Sequence, residues 1–186
     1  RIEIRNGLEV VQTLRGFSED DLGKRIRVVW SGAEYRGRGR ETNWKGRARF
    51  EGASIRRMDK INAWNHERKL EQRGRDVVVF DAITTGNFGG FDVWLDEVTD
   101  ARFSVETNLG SLNGSLSEIG LEDTVLDAGG LERKVRVFRL PESNPHRTLS
   151  TRIKIPLKPD TDNPLWVCVT TEDGFQAWSS PIYVFR

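Results

Sequence analysis

One cysteine, two histidines and one methionine are all that 186 residues contain of these types. With Cys168 alone, an internal disulfide framework is excluded, and a reducing compartment, the cytoplasm, is the expected home. The histidines, His66 and His146, stand at zinc-ligand spacing neither to each other nor to Cys168, so a metallohydrolase site has no histidines to build from. No apolar run approaches the roughly 18 residues of a membrane span, and no segment reads as a signal peptide. The chain opens on Arg1-Ile2-Glu3-Ile4, strand-like and without methionine, so it is expected to begin inside a longer protein. A Gly-x-Ser-x-Gly elbow is missing, and Gly37-Arg38-Gly39 lacks the strand and helix that frame a phosphate loop. Asp160-x-Asp162-Asn163 spaces oxygen ligands as calcium loops do but lacks the central glycine and distal glutamate, and reads as a polar turn. No catalytic constellation survives, and the chain on its own is not expected to be an enzyme.

What is present is a succession of short strands. Leu165–Thr171 alternates Leu165, Val167 and Val169 against Trp166, Cys168 and Thr170, both sets largely apolar, which predicts a central strand with Cys168 buried. Glu172-Asp173-Gly174 turns it into Gln176–Phe185, where Pro181 implies an edge, a bulge or a change of sheet. Asn6-Gly7 makes a second hairpin between Arg1–Arg5 and Leu8–Leu14, and Ser18-Glu19-Asp20-Asp21 reads as a cap and one helical turn. In Arg25–Trp30, the residues Ile26, Val28 and Trp30 face inward and Arg25, Arg27 and Val29 outward. Ala48, Phe50 and Ile55 are core candidates around Gly52. Val77–Ala82 and Phe91–Leu95 flank the glycine-rich turn Thr84–Gly90, and Ala101–Thr107, Gly114–Ile119, Lys134–Leu140 and Ser150–Pro156 read as further strands. Strands at about ten-residue intervals with no long amphipathic helix predict an all-β, mostly antiparallel β-sandwich, immunoglobulin-like or jelly-roll-like, as a single domain over residues 1–186. Residues 57–76 fit neither period and read as one long irregular loop, a type of segment that more often carries function than scaffold. The core is expected to hold Trp30, Val79, Phe80, Trp166, Val167, Val169, Trp178 and Ile182.

Charge is unevenly placed. Residues 1–75 carry 19 Lys+Arg against 11 Asp+Glu, and residues 76–186 carry 10 against 17, although the whole chain has a net charge of only +1. The two halves can neutralise each other within one fold, or the basic half can face a partner. Arg36-Gly37-Arg38-Gly39-Arg40, followed by Trp44, Arg47 and Arg49, mixes cations with an aromatic. Such a patch suits contact with another domain or subunit better than it suits nucleic acid. The expected contact residues are Arg36, Arg38, Arg40 and Trp44, with Trp64 and His66 from the long loop.

Ala177-Trp178-Ser179-Ser180-Pro181-Ile182-Tyr183-Val184, after Thr171-Glu172-Asp173-Gly174, resembles the terminal segment of large bacterial metal-dependent phosphoesterase-like proteins of the polymerase and histidinol phosphatase superfamily. Val29-Trp30-Ser31-Gly32 with Asn43-Trp44-Lys45-Gly46 resembles the opening of the β-rich region of those proteins, and Ile83–Asp92 resembles its glycine-rich hairpin. The resemblance implies a C-terminal, non-catalytic accessory β-sandwich that braces the catalytic domain, shapes an entrance or mediates assembly. Its partner would be the N-terminal catalytic domain or a second subunit. Any divalent metal would belong to that absent domain, since its His-x-His motifs do not occur in this chain. The alternative from another class is a standalone ligand-binding β-sandwich for carbohydrate or an acidic polymer, with Trp44, Trp64 and Trp94 stacking on sugars.

Overall fold

The computed structural model describes residues 1–185. These residues gather into two compact units: Glu19–Ser143, and a smaller one formed by Arg1–Ser18 with Asn144–Arg186. The protein is all-β, with three antiparallel five-stranded sheets. In chain order the strands are β1 (Ile2–Asn6), β2 (Glu9–Leu14), β3 (Arg25–Ala33), β4 (Thr42–Glu51), β5 (Ile55–Ile61), β6 (Leu70–Arg73), β7 (Val77–Thr84), β8 (Phe88–Leu95), β9 (Arg102–Thr107), β10 (Gly110–Ser115), β11 (Thr124–Asp127), β12 (Leu131–Leu140), β13 (Asn163–Thr170), β14 (Gln176–Trp178) and β15 (Ile182–Val184). Among the described residues no helix is long and apolar enough to cross a membrane.

The larger unit is a β-sandwich. One sheet runs β11-β12-β3-β8-β5 and the other β10-β9-β4-β7-β6. Strand β4 shows why they close on each other: Thr42, Trp44, Ala48 and Phe50 are buried on one side, while Asn43, Lys45, Arg47, Arg49 and Glu51 are exposed on the other. The apolar faces share one core, with Val28, Trp30, Phe91, Val93, Val135 and Val137 from the first sheet meeting Trp44, Phe50, Val78, Phe80, Phe103 and Val105 from the second. Trp30 stacks on Phe80 across the layers, ring centroids 4.5 Å apart. A Cβ at Gly46 would lie 2.1 Å from the Glu106 carbonyl oxygen and 2.8 Å from the Phe80 ring, so only glycine lets β9 and that ring approach β4. Val78 and Phe80 point into the core and Val79, expected there, is half-buried on the outer face: one step along a strand reverses the side.

Arg25 and Arg27 turn away from this core as expected, yet they are 7% and 6% exposed. Both clasp Asp92 of the adjacent strand. Arg25 Nη2 donates to Oδ2 at 2.5 Å, and Arg27 donates through Nε to Oδ1 at 2.7 Å and through Nη2 to Oδ2 at 2.8 Å. Alternation assigned the face correctly; the carboxylate that makes burial of two guanidiniums tolerable sits 65 residues further on.

The long irregular loop expected over 57–76 contracts to residues 62–69, because β5 and β6 take residues 57–61 and 70–73 and only a three-residue turn separates β6 from β7. Both are edge strands, so their outward side is charged, as in the Arg57–Asp59 and Arg73–Glu71 pairs. A register shift between Ile55 and Arg57 also breaks the two-residue period.

The smaller unit is a single sheet, β14-β13-β1-β2, with β15 also pairing with β13. The Asp-Gly hairpin forms as read, Gly174 at φ +92° donating its N–H to the Thr171 carbonyl at 3.0 Å. Pro181 splits the return strand into β14 and β15, which dock on the two ends of β13. Asn163, fully buried, accepts from Asn6 Nδ2 and the Lys158 N–H and donates to the Lys158 and Thr161 carbonyls, so all of its amide is used. Cys168 is buried and free. Several expected core residues are not core. Trp178 is 63%, Ile182 70% and Val169 37% exposed, while Trp166 and Val167 are half-buried. The reason is layering: within this unit there is one sheet, and no facing sheet to cover both sides of β13. Residues 150–156, read as a strand, pair with nothing in a ladder.

Candidate pocket at one end of the sandwich

The strands of the larger unit bring three connections to one end: the β3–β4 loop, the 62–69 loop and the β7–β8 turn. The turn is fastened to β3, since the Gly32 N–H donates to the Asn87 carbonyl at 3.0 Å and the Gly86 N–H to the Gly32 carbonyl at 3.1 Å. The Thr84 hydroxyl donates to that same Gly32 carbonyl and accepts the Trp44 indole N–H at 2.8 Å. Beside this clasp the sheets part to leave a pocket of about 220 Å³.

Its walls are aromatic and aliphatic. Trp30 and Leu70 reach it from the core, Phe88 and Gly89 open β8 along one wall, and Trp64 stands at the lip, 73% exposed. Its polar groups are mostly committed. Asn62 Nδ2 donates to the Phe88 carbonyl at 3.2 Å, Arg68 Nη1 to Asp81 Oδ1 at 2.7 Å, and the Thr85 N–H to Asn87 Oδ1 at 2.8 Å. Trp30 differs. Trp44, Trp94 and Trp166 donate their indole N–H groups to Thr84, Glu142 and Gly7, but among the described residues that of Trp30 has no acceptor, and although the residue is only 2% exposed its Nε1 is not cut off from solvent. Its Nε1 lies 3.0 Å from where a Cβ on Gly89 would stand, and Gly89 also lines the pocket. The pocket thus sets a donor at the floor of an apolar concavity and a free ring at its mouth.

The residues singled out in the sequence scatter. Trp64 is in the pocket, and His66 is exposed in the same loop without lining it. Arg36, Arg38 and Arg40 are exposed in the β3–β4 loop. Trp44 is a correction: fully buried, its indole spent on Thr84, it is core and offers no contact surface. Trp94 is half-buried between the Arg25 and Arg57 guanidiniums, at 4.8 and 4.3 Å from its ring, so its faces are taken. The basic patch is also smaller than the sequence suggests. Arg47 pairs with Glu106, Arg49 with Asp76 and Lys45 with Asp81, neutralising the outer face of β4. Of the pocket, the sequence flags Trp64 and its loop; the glycine-rich turn reads only as a hairpin, and Trp30 is missed as a lining residue because a core tryptophan and a pocket floor look alike in an alternating strand.

Among the described residues no group of three His, Cys, Asp or Glu side chains is placed to hold a metal ion. The shifted carboxyls lie elsewhere: the Thr99 and Val98 N–H groups hold Glu97 down to about 2, the Ser54 N–H lowers Asp96, and Lys134 lowers Glu132. No family model, curated protein or solved structure matches this chain.

Proposed function

We propose that the Glu19–Ser143 unit is a non-catalytic binding module that takes a sugar ring in the end pocket. The observation that carries this reading is the pairing of an exposed Trp64 at the lip with the unpartnered Trp30 indole N–H at the floor. A pyranose presents an apolar C–H face and a rim of hydroxyls. The face suits stacking on Trp64 and the aliphatic wall, and a rim oxygen accepts from Trp30 Nε1. Titration with galactose and galacturonate oligomers, followed by tryptophan fluorescence, tests it. A saturable shift that Trp64→Ala abolishes is expected, without loss of fold, because surface substitutions of this kind stay within about 0.5 kcal/mol. No saturable shift with any oligomer contradicts it.

A second reading, the accessory role implied by the family resemblance, is favoured by one observation in the smaller unit. Trp178, Ile182, Tyr183 and Phe185 are 63%, 70%, 54% and 70% exposed, and three of the four lie within the terminal motif that carries the resemblance. Clustered exposed apolar side chains suit contact with a further domain or a second subunit. Sedimentation of Trp178→Ser/Ile182→Ser tests this: a larger species in the parent protein that the double variant dissociates supports it, and an unchanged species contradicts it.

A further inference from the structure

We infer that the ligand is an anionic oligosaccharide, whose ring enters the pocket and whose acidic groups continue onto the Arg36–Arg40 loop. This rests on the sugar-binding reading above.

The loop and the pocket share one end of the sandwich. The loop leaves β3 at Ala33, next to Gly32, which the pocket-lining β7–β8 turn grips, and it returns at Thr42, the ladder partner of Thr84. It is folded back on itself: Gly37 and Gly39 take φ of +112° and +72°, and the Tyr35 hydroxyl donates to the Gly39 carbonyl at 3.0 Å. Glu34 and Glu41 stand at its two bases, so the tip carries cations only. Arginines 47, 49, 57, 68 and 73 of this unit are matched to carboxylates, while among the described residues Arg56, Arg75 and Arg102 are exposed without one but lie singly rather than in a run. Among the described residues Arg36, Arg38 and Arg40 have no such partner and are exposed. Three uncommitted guanidiniums beside an aromatic pocket are complementary to carboxylates or sulfates displayed at intervals along a sugar chain.

Charge also separates this from nucleic acid. Residues 19–143 hold 21 Lys+Arg against 22 Asp+Glu, so the unit has no broad positive field for a polyphosphate backbone. The cations are local, as a short acidic ligand requires.

Calorimetric titration of the full chain with four hexamers tests the inference: galacturonate, sulfated galactose, neutral galactose, and oligodeoxythymidylate. At low salt at least one acidic sugar is expected to bind about tenfold more tightly than neutral galactose, in line with three exposed ion pairs. Which of the two it is identifies carboxylate or sulfate as the acid. Salt should erase the difference, and Arg36→Gln/Arg38→Gln/Arg40→Gln should erase it while leaving neutral galactose binding unchanged. Equal binding of neutral and acidic sugars, or acidic binding that the triple variant retains, overturns the anionic inference and leaves the pocket reading standing. Preferred binding of the oligonucleotide overturns it in favour of a general polyanion site. No binding of any hexamer overturns both.

Discussion

At the scale of single residues, most of the informative chemistry is held in place by charge and hydrogen bonding rather than made available. Asp92 is 2% exposed and accepts from two guanidiniums, so its removal strands two buried cations in the sheet. Asp92→Ala is expected to cost about 3–5 kcal/mol in urea denaturation, and a loss below about 1 kcal/mol would contradict the bridging role. Glu97 behaves differently. Its carboxylate accepts the Val98 and Thr99 N–H groups, and its pKa falls from the ordinary 4.5 to about 2. Because the folded value lies below the unfolded one, this contribution is complete above the unfolded pKa and fades as pH falls towards 2. Melting temperatures between pH 5 and 2 should therefore fall more steeply for the native protein than for Glu97→Gln; equal slopes would show that those bonds do not favour the charged form.

At the scale of elements, β8 joins core and pocket. Phe91, Val93 and Leu95 face the core, Asp92 meets the arginines of β3, and the strand opens with Phe88-Gly89 at the pocket wall. Gly89→Ala places a methyl 3.0 Å from Trp30 Nε1, 3.7 Å from the Ile61 carbonyl oxygen and in no tighter contact than these. Sugar affinity is expected to fall about tenfold, the worth of one lost hydrogen bond, and the melting temperature to drop modestly as the Trp30 ring gives way. Affinity that persists would place the ligand away from the floor. Strand alternation made β3 legible in the sequence, since burial on one face writes itself as a period of two, and Asp-Gly marked the hairpin after β13. Strand β4 shows there only through Ala48 and Phe50, with Trp44 reading as a contact residue, and β13 reads as covered on both faces. Alternation failed at β5, where a bulge shifts the period, and at β14 and β15, where aromatic and branched residues that usually signal a core lie on a one-layer sheet. The pocket was legible only in its loops. Trp64 stands out in a polar segment, whereas the role of Trp30 depends on whether its indole nitrogen meets an acceptor 40 residues away, as that of Trp44 does, or none.

At the scale of the whole molecule, the apolar cluster belongs to one unit. Every buried residue of that cluster lies between Ile26 and Val137. Residues 19–143 expressed alone are therefore expected to unfold in a single cooperative thermal transition, and a non-cooperative melt would show that this core depends on the remaining chain. The measurement closest to the central claim is the set of six tryptophan indole N–H resonances during titration with galacturonate and galactose hexamers. Saturable shifts at Trp30 and Trp64, with Trp44 and its Thr84 hydrogen bond undisturbed, are the expected result. Resonances that all stay in place, or that move at Trp44, Trp94 or Trp178 while Trp30 and Trp64 do not, would contradict a sugar seated in the end pocket.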